Sequence, residues 1–155
     1  TGTTLFQNAL LKASALRDHV DSDVVVVADD SGLCVRALDG RPGVYSARYA
    51  GENATYADNC DLLLRELDGA DDRAASFVCV LVALGVEGDM KLGCGVLPGT
   101  IIETPRGDGG FGYDPVFVPV GSPLSLAQMS REAKGAISHR GRAVRCLRAS
   151  LGLAA

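Results

Sequence analysis

The chain has 155 residues, of which 47 % are hydrophobic and 22 % are charged, and its formal net charge at pH 7 is −4. This size and balance are typical of one globular domain with a substantial core. The charge excludes a general nucleic-acid-binding protein, which needs a basic surface, and no stretch approaches the roughly 20 apolar residues of a membrane span.

Five cysteines are spread along the chain without a Cys-x-x-Cys pair. An odd number at wide spacing argues against both a disulfide framework and a zinc site. No signal peptide is visible in the sequence. Cysteines of this kind are typical of a reducing compartment, so we expect a cytoplasmic protein.

The first predicted elements are a helix over about 4–19 and a strand over 24–28. Thr4 and Gln7 have the spacing of a capping box, and the apolar residues after them recur at helical intervals. Residues 24–28 form a continuous and mostly β-branched apolar run, which is typical of a strand buried on both faces. Residues 33–38 are interpreted as a second extended segment.

The middle of the chain predicts a second helix that begins at the capping box of Thr55 and Asp58. The strands predicted after it span residues 76–84, 90–96 and 99–103, with a turn at 85–89. Segment 105–115 contains four glycines and two prolines, so it is predicted to be irregular. An amphipathic helix over about 138–151 ends the chain. This order indicates an α/β fold, with a mixed central sheet flanked by helices in one domain over 1–155.

Two adjacent carboxylates, Asp29 and Asp30, follow the valine run, and ligands of open α/β sheets bind beyond strand ends. Neighbouring strand residues point to opposite faces, so the two carboxylates need not share a task. One of them could hold Mg²⁺ or activate a water molecule, and Ser31 could donate to a phosphate oxygen. The alternative is a simple turn, which Asp, Ser and Gly all favour.

The glycine-rich segment contains the second candidate site. Phe111 and Tyr113 could stack on a nucleotide base, and Asp114 could bind the edge of that base. Gly112 would let the backbone approach a ligand closely. The alternative is a loop whose aromatic side chains close the core.

The third candidate site combines Lys134 with the start of the last helix. Ser138 can cap that helix, which places His139 and Arg140 near the positive end of its dipole. Such a position suits an anion or an oxygen acceptor. The alternative is a capped surface helix with solvated cations.

Together, these segments supply a metal anchor, a ring to stack on a base and cations for phosphates, although neither a Walker A sequence nor a GxGxxG turn is present. Four segments resemble, in the family's order, the inosine/xanthosine triphosphate pyrophosphatases: ADDSGL at 28–33, PGVYSARYAG at 42–51, GGFGYDPVF at 109–117 and AISHRGRA at 136–143. With TGTTLFQNALLKA at 1–13, the resemblance covers essentially the whole chain.

The resemblance implies hydrolysis of ITP, dITP or XTP to the monophosphate and pyrophosphate, with Mg²⁺ as cofactor, in a homodimer. It implies that Asp30 is the catalytic residue, which activates water and contacts the metal. The substrate-contacting residues that it implies are Ser31, Phe111, Gly112, Tyr113, Asp114, Lys134, His139 and Arg140. We therefore expect Asp30 to face the same crevice as Tyr113 and Arg140.

Members of that family also carry, before the Thr-Gly with which this sequence starts, a strand, a phosphate loop of the type [ST]-x-N-x-x-K and an acidic metal ligand. We therefore expect the chain to lack the first strand-loop-helix unit and to turn substrate over weakly or not at all. Two other functions stay open: a nucleotide-binding module without catalysis, and a metal-dependent phosphatase of another type that releases free phosphate.

Overall fold

The structure, a computed structural model, describes residues 2–21, 23–85 and 89–153. The α-helices in these ranges are α1 (Leu5–Arg17), α2 (Tyr56–Glu66), α3 (Arg131–Ile137) and α4 (His139–Ser150). The strands are β1 (Val26–Val35), β2 (Ala74–Leu84), β3 (Met90–Ile101) and β4 (Phe117–Pro119), and they form a sheet in the order β1-β2-β3-β4. Strands β3 and β4 are antiparallel, with Gly99 opposite Pro119. The predicted α/β class, with helices around a central sheet, is confirmed.

The chain divides into two compact units. The first contains the residues up to Ser31, Val78–Val96 and the residues from Ser138 onward, and the second contains Gly32–Phe77 and Leu97–Ile137. Strands β1, β2 and β3 each contribute residues to both units. One nucleotide pyrophosphatase domain over 1–155 stays a prediction.

In the first unit, a helix covers each face of the sheet. The cluster under α1 has the buried residues Ala9, Ala13, Val26 and Val82. The cluster under α4 has the buried residues Cys79, Leu81, Ala83, Ala143 and Leu147. Because strand side chains alternate, β2 sends Val82 towards α1 and its neighbours towards α4, so it is buried on both faces, as its apolar run predicts.

The core of the second unit lies under α2. Both partners of the predicted capping box make their bonds: the Asp58 N–H donates to Thr55 Oγ1 at 3.1 Å, and the Thr55 N–H donates to Asp58 Oδ2 at 2.8 Å. The helix buries Leu63 against residues from β1 to β4, including the Phe77–Phe117 ring pair, whose centroids are 4.7 Å apart. The cap starts the helix, and the apolar face holds it on the sheet.

The predicted environment of residues 24–28 is wrong. Val26 is 3 % exposed, but Val25 and Val27 are 50 % and 46 % exposed. The reason is that β1 is the end strand of the described sheet, and α1 covers the face to which Val26 points. A β-branched run therefore indicated the strand correctly and its burial incorrectly.

Strand β1 also continues further than predicted. It includes 29–32, so the turn alternative for these residues is wrong, and residues 33–38 are not a separate strand. Leu33 and Val35 are buried in the core of the second unit, which favours continued extension. The acid pair therefore lies within a strand instead of at its tip.

Other boundaries also differ from the prediction. The two strands predicted between 90 and 103 are one strand, β3, and helix α3 was not predicted. The segment predicted to be irregular was 105–115; residues 105–113 have no helix or strand, whereas Asp114 and Pro115 belong to a short 3₁₀ helix, Asp114–Val116. Of the predicted turn at 85–89, residues 86–88 lie outside the described residues. No helix in the described ranges has the length and hydrophobicity needed to cross a membrane.

The buried thiol of Cys60 on α2 leads to the first testable prediction. Its burial, then the charges of Asp61 and Asp114, raise the pKa of Cys60 from 9.0 to about 11. A raised pKa stabilises the fold below pH 9, and this contribution is lost between pH 9 and pH 11. The two-unit shift corresponds to about 2–3 kcal/mol.

We measure the free energy of unfolding by urea titration at successive pH values between pH 9 and pH 11. Over this interval, we expect it to fall by about 2–3 kcal/mol more in the wild type than in the Cys60→Ala variant. The variant keeps Cys34 and Cys79, whose pKa values burial also raises, so their contributions cancel in the comparison. Parallel curves for the two proteins from pH 9 to pH 11 would contradict the prediction.

Candidate functional site

Strand β1 carries the predicted acid pair with its two carboxylates on opposite faces. Asp30 faces α1, where its Oδ1 accepts from Lys12 Nζ at 2.6 Å and its Oδ2 accepts from Asn8 Nδ2 at 3.1 Å. Asp29 faces α4, where its Oδ2 accepts from Nε of Arg140 at 3.1 Å and from Nη2 at 2.8 Å. The alternation of side chains along a strand is the cause.

Asn8 and Lys12 are site residues that the sequence reasoning missed. They are four residues apart on α1, which places them on one face of the helix. Lys12 also donates to the carbonyl oxygen of Asp29 at 2.9 Å. The available signal was an amide and a cation at this spacing among the apolar residues of the helix.

Asp30 and Arg140 do not meet in the way that we expected. Asp30 pairs with Lys12 of α1, whereas Arg140 of α4 pairs with Asp29. The alternation that separates Asp29 from Asp30 therefore also separates Arg140 from Asp30.

The donor set around Asp30 bears on the predicted metal. No three His, Cys, Asp or Glu side chains gather into a metal-binding cluster in the described part of the chain. Mg²⁺ is commonly held by one or two carboxylates together with waters and substrate phosphates. Asp30 fits such a site as a single protein carboxylate whose remaining oxygen partners come from the substrate.

The start of α4 has the predicted form. The Gly141 N–H donates to Ser138 Oγ at 3.0 Å, so Ser138 caps the helix, and His139 and Arg140 occupy its first turn. Burial disfavours the charge on Arg140, but the hydrogen bonds and charge of Asp29 outweigh this effect and raise the pKa of Arg140. The guanidinium therefore stays charged.

A small polar cluster surrounds Asp29. Its Oδ2 lies 4.0 Å from Sγ of the buried Cys79. Burial raises the pKa of that thiol, against a smaller lowering effect of its interaction with the Ser31 hydroxyl. The Oγ of Ser31 is buried. Ser31 is two positions after Asp29, so both side chains leave β1 on the same face.

In the second unit, Phe111, Asp114 and Lys134 form a contiguous group. Lys134 Nζ forms an ion pair with the buried Asp114 carboxylate and lies 4.3 Å from the centroid of the Phe111 ring. The Phe111 N–H donates to Asp114 Oδ2 at 2.8 Å. The Phe111 side chain is nevertheless 56 % exposed, so its ring is accessible to a planar ligand.

Tyr113 has a different environment from the one that we expected. It is 3 % exposed, belongs to the core of the second unit and donates from its hydroxyl to the Ser46 carbonyl oxygen at 2.8 Å. Burial raises the pKa of this hydroxyl. The ring of Tyr113 thus lies in the core of this structure, and a contact of Tyr113 with a base stays a prediction.

The glycines of this loop permit its course. Gly112 has a φ of 60°, and its carbonyl oxygen accepts from the Cys60 thiol at 3.4 Å. Gly110 has a φ of 75°, and a Cβ at this position would overlap the Asp114 carboxylate. Both positions need the conformational freedom of glycine.

The profile of the Ham1 family matches residues 1–150. The chain belongs to the Ham1 family. The dITP/XTP pyrophosphatase of Staphylococcus aureus strain MW2 is 45 % identical over 151 residues, which are 97 % of this chain and 76 % of the relative. The dITP/XTP pyrophosphatase of Thermoanaerobacter pseudethanolicus is 49 % identical over 142 residues, which are 90 % of this chain and 70 % of the relative.

Solved structures of Ham1 proteins have the same fold. The Staphylococcus aureus Ham1 protein superposes with a TM-score of 0.92 at 45 % identity, over 98 % of this chain and 78 % of that one. A HAM1 protein from Coxiella burnetii gives a TM-score of 0.90 at 41 % identity, with the same coverage. The chain thus spans about three quarters of the length of these Ham1 proteins, and the resemblance seen in its motifs is confirmed.

Proposed function

We propose that this Ham1-family chain hydrolyses non-canonical purine nucleoside triphosphates (ITP, dITP and XTP) to the monophosphate and pyrophosphate. The observation that carries the proposal is its 45–49 % identity to dITP/XTP pyrophosphatases over most of its length. Phosphoryl chemistry needs positioned charge more than covalent groups, and Asp30, Asn8 and Lys12 supply such positioning on one face of β1.

In this mechanism, Asp30 orients a water molecule and accepts its proton as the water oxygen attacks the α-phosphorus. The bond from that phosphorus to the oxygen bridging to the β-phosphorus breaks, and pyrophosphate leaves with the bonding electron pair. Mg²⁺, when bound, neutralises the charge that develops on the phosphate oxygens. Lys12 is 55 % exposed at its side chain, so it can exchange Asp30 for a phosphate oxygen.

The base contacts that we propose use the chemistry of the purine edge. Hypoxanthine and xanthine carry an acceptor at O6 and a donor at N1. Adenine carries an amino group in place of O6. Phe111 stacks on the base, and Asp114 accepts a hydrogen bond from N1. His139 and Arg140 donate to O6, and adenine is rejected because its amino group offers these donors no acceptor.

The remaining assignments are also proposals. We propose that Ser31 and Lys134 contact the phosphates or the base, that Gly112 lets the loop approach the base, and that Tyr113 holds this loop from the core. Mg²⁺ as the cofactor, a homodimer and a cytoplasmic location extend the same proposal. Weak or absent turnover by the 155-residue chain stays a prediction.

The test is a product assay with ITP, dITP, XTP and ATP, with and without Mg²⁺. We expect pyrophosphate and monophosphate in equal amounts, a kcat/KM for ATP that is lower by about 100-fold or more, and no turnover in EDTA. Micromolar protein and single-turnover conditions make a weak activity measurable. Free phosphate as the product would favour the alternative phosphatase. Calorimetric binding of IMP with no turnover of any triphosphate would favour a module without catalysis.

A further inference from the structure

We propose that Asp29 is a positioning residue that holds the guanidinium of Arg140 in the orientation in which it contacts the substrate. This inference rests on the proposed function, because it assigns Asp29 to a residue of that site. It gives the two adjacent carboxylates different tasks: Asp30 acts on the reaction, and Asp29 acts through Arg140.

The hydrogen bonds fix one edge of the guanidinium. Both Nε and Nη2 of Arg140 donate to the same oxygen of Asp29, at 3.1 Å and 2.8 Å. A guanidinium has five N–H donors, of which the carboxylate of Asp29 engages two. Asp29 itself is held by a regular strand, and rigid support of this kind keeps a binding group in its productive geometry.

The surroundings of Asp29 are polar on the face that carries Arg140. Ser31 leaves β1 on the same face as Asp29, and its buried hydroxyl interacts with the Cys79 thiol. The buried Cys79 also contacts the Asp29 carboxylate through its thiol. A ligand that Arg140 binds would offer acceptor atoms to this face.

A second carboxylate–guanidinium pair of similar exposure serves as a comparison. The chain contains such a pair in Arg36 and Asp72, joined from Nη2 to Oδ1 at 2.9 Å and also through Nε. Exposed pairs of that kind contribute little to stability. The Asp72→Asn variant is therefore a matched control, because it removes the same kind of carboxylate–guanidinium pair away from the candidate site.

The first experiment is a double-mutant cycle on the hydrolysis of XTP by the whole chain. We expect Asp29→Asn to raise KM by about 10-fold and to change kcat by less than about 2-fold, because a contact made equally in ground and transition states affects binding alone. In an Arg140→Ala background, the same change should have an effect below about 2-fold, because its target is gone. Asp72→Asn should change neither constant.

An equal effect of Asp29→Asn in both backgrounds, or an unchanged KM in the wild-type background, would overturn the proposal. Because the chain is expected to turn substrate over weakly or not at all, a second measurement decides about Asp29 if the wild type hydrolyses no triphosphate. That measurement is the exchange of the Arg140 Nε–H with water by ¹⁵N NMR.

We expect this exchange to be at least about 10-fold faster in Asp29→Asn than in the wild type, since a proton in a charge-assisted hydrogen bond is held strongly. Asp72→Asn should leave Arg140 unchanged and accelerate exchange at Arg36. Equal exchange of Arg140 in the wild type and in Asp29→Asn would show that Asp29 does not hold the guanidinium.

Discussion

Replacing Asp30 by Asn should lower kcat for dITP by about 10³-fold or more, because it removes both the general base and the carboxylate proposed for Mg²⁺. The amide has nearly the same shape and keeps an acceptor for Asn8. Lys12 is exposed enough to recover its hydration, so the free energy of unfolding should change by less than about 1 kcal/mol.

Stopped-flow detection of pyrophosphate, together with urea unfolding of the same samples, separates these two effects. Asp72→Asn serves as the control, since it makes the same chemical change at the Arg36 ion pair and should retain full activity. Turnover by Asp30→Asn within about 10-fold of the wild type would remove Asp30 from the catalytic role. A large loss of stability would instead assign the Lys12–Asp30 pair to the fold.

The second large effect is expected at Gly95, where β3 passes under the start of α4. A Cβ at this position would overlap the His139 carbonyl oxygen and the Ala143 amide nitrogen and would lie 2.9 Å from Cβ of Arg142. Backbone atoms cannot rotate away, so α4 must move. We expect Gly95→Ala to lower the free energy of unfolding by about 3 kcal/mol, near the upper end for overpacking.

The displacement of α4 should also weaken the Arg140–Asp29 pair, which a faster exchange of the Arg140 Nε–H would report. The control is Gly135→Ala within α3, where an added Cβ would meet no atom within 4 Å. That variant should be neutral, or more stable by up to about 1 kcal/mol, because alanine has the higher helix propensity. A Gly95→Ala protein as stable as the Gly135→Ala protein would contradict the prediction.

Short sequence patterns, such as helix caps and glycine-rich segments, correctly predicted those elements that interactions between nearby residues stabilise. The caps at Thr4, Thr55 and Ser138 each accept the expected backbone hydrogen bond, and the helices begin where these residues place them. The irregular course of 105–113 follows from its four glycines and one proline, which disfavour a helix or a strand. The family was also evident from sequence, because its motifs are contiguous segments in a defined order.

Local signals failed where partners distant in sequence decide the outcome. The long extent of β1 depends on the packing of Leu33 and Val35 in the second unit, and the exposure of Val27 depends on which strand ends the sheet. Tyr113 and Phe111 are two residues apart in one loop, yet the first is buried and the second is accessible. Neither result follows from the residue types.

The amino-acid sequence by itself therefore determined the α/β class, the starts of α1, α2 and α4, the loop around Phe111 and the acid pair on β1. Only the tertiary structure decided what each carboxylate faces, because one residue of strand alternation turns Asp30 to Asn8 and Lys12 and turns Asp29 to Arg140. These partners come from helices at the two ends of the chain, and the choice between them is made by packing on opposite faces of the sheet.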